Sequence, residues 1–292
     1  MKLGNVELHL VSDGEILVDA GGQFGLVPKV LWSKYFTADE LNRVPTALYS
    51  LLIISEGKRI LVDTGFGRKL TPREWEIQGL KRPHGDLLDD LQCLGLAATD
   101  IDIVINTHLH ADHASGNTLL QDGVPVPAFP NAQYWIQRLE WADAMYPNER
   151  TRNTYYPHNL VPIQEAGQLH LLSGNTRVTG EVHCLVTRGH TRAHQSVVIA
   201  SGGEAACFLG DMASLAIRLE RLGWMSAFDT EPLETLETKR GIRDWALETH
   251  ALLFFQHDLD RPMGYLVQEG DTCTVRSIAP ATAPPLAGCG RP

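Results

Sequence analysis

The chain has 292 residues, 43% of them hydrophobic and 21% charged, which suits a folded globular protein with a sizeable core. Its formal net charge of −10 argues against nucleic acid as a partner, since a phosphate backbone calls for a basic stripe. No window reaches the roughly 18 apolar residues of a membrane span, so no membrane partner is expected, and the stretch Met1–Leu10 reads as a first strand and not a signal peptide, which predicts a cytoplasmic protein.

Val6–Ser12 and Ile16–Val18 flank Asp13-Gly14 and predict a hairpin. Gly21–Pro28 reads as a glycine-rich loop ahead of an aromatic patch at Trp32, Tyr35 and Phe36, and Thr37-Ala-Asp-Glu40 as the start of a capped helix. Leu48–Ile54 and Arg59–Val62 are predicted strands of a second hairpin. Asp86–Leu94 has helical spacing and stops at Gly95, while the β-branched run Ile101–Ile105 predicts a buried strand. Asn117 is expected to open a short helix, and Gln133–Ile136 to be a strand running into a helix through Met145.

In the second half, Glu181–Val186 is a predicted strand, and Ser196–Ala200 and Ala205–Leu209 form a hairpin about Ser201-Gly-Gly203. Leu233–Thr249 is an amphipathic helix, Leu252–Phe255 a short buried strand, and Gly264–Val267 pairs with Thr272–Ser277 at an edge. Ala279–Pro292, rich in Pro, Ala and Gly, reads as a disordered tail. No linker divides the rest, so strands followed by helix, twice over, predict one α/β domain over residues 1–278 with two sheets packed between helices. The five cysteines (Cys93, Cys184, Cys207, Cys273, Cys289) are scattered and lack paired spacing, and read as reduced thiols.

Directly after the run at Ile101–Ile105 comes His108-Leu-His110-Ala-Asp112-His113. Three imidazoles and a carboxylate at the end of a central strand are metal-ligand chemistry, suited to zinc, with iron, manganese and cobalt also compatible. Sheets of this class place their chemistry at strand ends. His190, Asp211 and His257 share that strand-then-ligand context. No Ser sits in a nucleophile elbow, which suits a metal site whose nucleophile is water.

These motifs resemble the metallo-β-lactamase superfamily: Leu61-Val-Asp63-Thr-Gly65, the His108–His113 cluster, His190, Asp211 and His257 occur in the family's order across about residues 45–260. The resemblance implies an αββα sandwich of two mixed sheets. It implies two divalent ions, one on His108, His110 and His190, the other on Asp112, His113 and His257, bridged by Asp211, with Asp63 orienting ligands. It further implies a metal-bridging hydroxide as nucleophile and Asp112 or Asp211 as proton carrier. A finer similarity, in Asp19–Trp32, Pro147–Tyr156, Trp224 and Asp229, is to quorum-quenching N-acyl homoserine lactonases and methyl-parathion-type hydrolases. It implies lactone ring opening, with organophosphate triester or aryl ester hydrolysis as the alternative. One departure is that Asp211 is followed by Met-Ala-Ser-Leu-Ala-Ile, without the Tyr those lactonases carry there. Phe24, Trp32, Tyr35 and Phe36 are expected pocket walls for a small-molecule substrate, as are Tyr155, Tyr156, Trp224 and Phe228, and a homodimer is compatible with this reading.

Overall fold

Residues 1–278 are described by a computed structural model, and the expectation for Ala279–Pro292 lies outside them. The first sheet runs, in spatial order, Lys2–Leu3, Val6–Asp19, Arg43–Ser55, Lys58–Val62, Ile103–Ile105, Gln133–Gln137 and Leu169–Leu172. Its first four strands pair antiparallel and its last three join in parallel. The second sheet runs Thr176–Arg177, Val182–Val186, Gln195–Ser201, Glu204–Phe208, Leu252–Phe254, Met263–Glu269 and Thr272–Ser277. Only the pair Glu204–Phe208 with Leu252–Phe254 is parallel there.

Alternation along the strands makes the layers. Leu51, Ile53, Ile60 and Val62 of the first sheet meet Val197, Ile199, Phe208 and Phe254 of the second in a shared core. Leu52, Leu61 and Val104 face outward, against Leu87 and Leu91 of the helix Leu87–Cys93. Cys207 and Leu253 face outward from the second sheet against Ile242 and Ala246 of the helix Pro232–Thr249. The result is the αββα sandwich, and the helices at residues 87–93, 138–145 and 232–249 fall within a residue or two of their predicted bounds.

Four expectations change. Asp13-Gly14 does not reverse the chain: Val6–Asp19 is one strand, bent by a register shift between Ser12 and Glu15. Asp13 is fully buried, accepts from the Phe66 and Gly67 N–H groups and pairs with Arg82, while Gly14 takes φ +107° where a Cβ would meet the Lys81 carbonyl oxygen. Thr37–Glu40 starts no helix, because the Asp39 carboxylate accepts from the Leu41 and Arg43 N–H groups and closes a turn. Short helices lie instead at Ala20–Phe24, capped by Asp19, and at Lys29–Trp32. Asn117 ends a helical segment and Thr118–Gln121 pairs with Val124–Pro127 in a small hairpin. Finally, Cys184, Cys207 and Cys273 are free, but Cys93 is disulfide-bonded. The helix Pro72–Gln78, with its Thr71–Glu74 capping box, was not anticipated. No helix among the described residues is long and apolar enough to cross a membrane.

Candidate metal centre

Loops at the ends of strands from both sheets carry the site. Ile103–Ile105 ends at Asn106, and the chain then delivers His108, His110, Asp112 and His113 through a single helical turn, Ala111–Ala114. His190 follows Val182–Val186, Asp211 follows Glu204–Phe208 and His257 follows Leu252–Phe254. All seven side chains meet between the ends of the two sheets. His108, His110 and His190 form one group of facing donor atoms, and Asp112, His113 and His257 another, all within 4.8 Å in each group.

Asp211 lies between them. Its Oδ2 is 3.3 Å from His190 Nε2, while its Oδ1 is 3.0 Å from His257 Nε2 and 3.6 Å from His113 Nε2. Asp112 Oδ2 stands 3.5 Å from both His113 Nε2 and His257 Nε2. One carboxylate therefore addresses both groups and the other addresses one.

Four of the five imidazoles have one nitrogen engaged from behind and the other aimed inward. His113 Nδ1 faces Asp63 Oδ2 at 3.0 Å, His190 Nδ1 faces Asp229 Oδ1 at 2.9 Å, and His257 Nδ1 faces the Ala47 carbonyl at 2.6 Å. Donation on that side fixes the tautomer and leaves Nε2 as a lone pair. His108 Nδ1 lies 3.1 Å from Thr107 Oγ1. Asp63 also accepts from the Thr107 N–H and hydroxyl, both at 2.7 Å, from a backbone with φ +59°. A non-glycine residue in that left-handed region stores strain, which is tolerated where the side chain is needed in place.

The inward atoms are short of partners. His108 Nε2, His113 Nε2 and Asp211 Oδ1 are buried without a hydrogen bond, and His110 Nδ1 and His190 Nε2 face each other at 3.1 Å. Buried polar atoms are rarely left so, and nitrogen and carboxylate lone pairs converging on shared space fit divalent cations. Electrostatics agree. Burial, then the neighbouring imidazoles, holds His108 and His110 well below the usual histidine range, so both are neutral donors. Burial also opposes charge on His113, yet the Asp112 and Asp211 carboxylates raise it well above that range. A cation beside His113 Nε2 would meet the same two carboxylates.

Two further groups hold the ligand loops. Glu140, 1% exposed, accepts from the Leu109 N–H at 3.0 Å, the Tyr155 hydroxyl at 3.0 Å and the Thr191 hydroxyl at 2.6 Å. It thereby ties the loop of His108 and His110 to that of His190. His194 is fully buried: Nδ1 bonds Thr187 Oγ1 at 2.8 Å, and Nε2 accepts from the Asp211 N–H at 3.1 Å. Burial pushes its pKa down to about 3, so it stays neutral and serves as an acceptor. Sequence reasoning assigned no role to Glu140, and nothing in its helical surroundings marks it. Asp258, beside His257, caps its own loop by accepting from the Ala216, Asp260 and Arg261 N–H groups.

A cavity of about 280 Å³ opens onto His110, Asp112, His190, Asp211 and His257. The expected walls overlap the observed ones only in part. Phe24, Trp32, Phe36 and Trp224 pack on one another, with Phe24 stacked on Trp32 at 5.0 Å, and form a separate small core behind the cavity. Three large apolar rings in one short segment, joined by Trp224, bury more area against each other than any could by lining an open cleft. Tyr156 and Phe228, also expected as walls, do line it, together with Phe66, Ile16, Leu17 and the polar Gln23, Thr46 and Asn153.

Fold and donor set together define a metal-dependent hydrolase. The chain belongs to the metallo-β-lactamase superfamily, whose family model matches residues 44–233. An N-acyl homoserine lactonase from Bacillus sp is 28% identical over 238 residues, covering 78% of this chain and 87% of that protein. A probable metal-dependent hydrolase from Staphylococcus aureus superposes with TM-score 0.86 at 27% identity, over 94% of this chain and 99% of its own. AidC, described as a dizinc quorum-quenching lactonase in complex with a ring-opened product, superposes with TM-score 0.79 at 21% identity and covers 96% of each chain, a likeness of fold.

Proposed function

We propose that this chain is a dinuclear metal hydrolase that opens lactone rings, with N-acyl homoserine lactones as the lead class. One observation carries the reading: two three-donor groups joined by Asp211 open onto a cavity with apolar walls. The relatives named as lactonases cover most of both chains and narrow the substrate class. The expected ions are zinc, which suits imidazole and carboxylate donors.

His108, His110 and His190 would hold one ion, Asp112, His113 and His257 the other, and Asp211 both. Bound there, a divalent pair supplies Lewis acidity toward a carbonyl oxygen and brings the pKa of water toward neutrality. The protein's residues do the rest. Ile16, Leu17, Phe66 and Phe228 exclude bulk solvent from the reacting ester. The Asp112 side chain is 26% exposed against 12% for Asp211, so Asp112 is the carboxylate placed to take a proton from water and return it to the leaving alkoxide. Asp211 is held between three imidazoles and would serve as a fixed ligand.

The test is a panel of N-acyl homoserine lactones with short and long acyl chains, followed by acid release, alongside a chromogenic phosphotriester. Zinc-loaded enzyme should open the lactones faster than it cleaves the phosphotriester, and Asp211→Asn should lose turnover and bound zinc together while keeping its circular dichroism. Turnover of the phosphotriester alone would transfer the site to the other substrate class, and full activity in Asp211→Asn would contradict the ligand assignment.

A further inference from the structure

Gln23 is a buried amide on the cavity wall, 5% exposed, in a segment otherwise packed with aromatic rings. Its orientation is set from behind. Arg218, 3% exposed, places Nη2 2.7 Å from the Gln23 backbone oxygen and 2.8 Å from Gln23 Oε1, with Nη1 on Ser214 Oγ at 2.8 Å. A guanidinium has donors only, so the amide atom facing it must be the oxygen. The Nε2 group, with two hydrogens, is turned the other way. The acceptor the described residues give it is Thr46 Oγ1, at a long 3.4 Å, and that hydroxyl donates onward to the Val44 carbonyl at 3.3 Å. Thr46 lines the same cavity and adjoins Ala47, whose carbonyl bonds His257 Nδ1 at 2.6 Å. A fixed, under-used N–H donor thus stands on the wall beside the candidate metal ligands.

We propose that Gln23 Nε2 donates a hydrogen bond to a carbonyl oxygen of the substrate that lies outside the reacting ester, namely the amide oxygen of an N-acyl lactone, with Arg218 as the positioning residue that prevents the amide from flipping. The inference rests on the lactonase reading and deepens it. A site that holds such a donor discriminates against an analogue without the acceptor, because the buried N–H then goes unpaired. No bond is made or broken in this step; it selects among lactones.

The experiment compares kcat/KM for N-hexanoyl homoserine lactone and for a γ-alkyl butyrolactone of matched length, which has no amide. Gln23→Glu keeps an acceptor toward Arg218 and nearly the same volume but removes the donor. Gln23→Met removes both polar ends, and circular dichroism and melting establish that each variant is folded. The preference for the amide-bearing lactone should fall by about tenfold in Gln23→Glu, the size expected for one lost hydrogen bond in a buried site. An unchanged preference in a folded Gln23→Glu overturns the proposal.

Calorimetry with the ring-opened N-hexanoyl homoserine and with an amide-free hydroxy acid of equal length separates this idea from the lactonase reading. If the native enzyme opens neither lactone, that reading fails. Tighter binding of the N-acyl compound, lost in Gln23→Glu, still supports the contact. Equal affinities, or no binding of either compound, overturn it.

Discussion

Asp229 shows how much of the site is work done at one remove. Its carboxylate, 2.9 Å from His190 Nδ1, fixes which nitrogen of His190 faces inward and joins Asp211 in raising its basicity against the cost of burial. Removing such partners lowers metal affinity by about 10–100-fold in general. Asp229→Ala should do the same here, measured by zinc competition against a chromophoric chelator. Native-like zinc affinity in that variant would mean that packing alone orients His190. Glu140 acts on the loops instead of on a ligand. Donors from three segments converge on this one buried carboxylate, and burial pushes its pKa up against them.

Among the elements, the turn before Asp211 is the least forgiving. Gly210 has φ +56°, and a Cβ there would stand 2.7 Å from His194 Nε2 and 3.0 Å from Thr107. Gly210→Ala should therefore cost about 1–3 kcal/mol by combining backbone strain with a clash, read as a lowered urea midpoint; a midpoint equal to that of the native chain would show that the turn can relax. This turn also marks what the sequence made legible. The donors from His108 to His257 could be read because each follows an apolar strand, and the long helix Pro232–Thr249 because its apolar positions repeat at helical spacing. The bend at Asp13-Gly14 could not, since a turn dipeptide looks the same whether the chain reverses or bulges, and the deciding partner, Arg82, is remote in sequence. The cavity walls were legible only in part for a related reason. Aromatic composition marks apolar area, but not whether that area faces a ligand or another ring, as Phe24 and Trp32 show.

For the whole molecule, burial leaves a pH signature away from the metal centre. Lys239 is fully buried, donates to the Leu222 and Trp224 carbonyls at 2.6 and 2.9 Å, and burial lowers its pKa from 10.5 to about 7. Between those values the unfolded chain holds more protons than the folded one, so this residue makes stability rise with pH across the window and weighs most heavily below it. The native chain should gain about 2 kcal/mol on Lys239→Met between pH 7 and 9 in urea titrations; a difference between the two proteins that does not vary with pH would mean that Lys239 stays charged throughout. Metal removal acts on the same balance. A ligand at 100 times its dissociation constant adds about 2.7 kcal/mol to the folded state, so a chelator should lower the melting temperature by about 5 °C or more. An unshifted melting curve would leave the seven donors without a ligand.

The cage also has a history within each molecule. Four of its donors, His108 to His113, leave the ribosome together, whereas His257 emerges roughly 10–30 s later at ordinary elongation speeds. During that interval a nascent chain can offer a cation only the early half of its claw. The complete donor set therefore exists only once the strand Leu252–Phe254 has docked and carried His257 to the others.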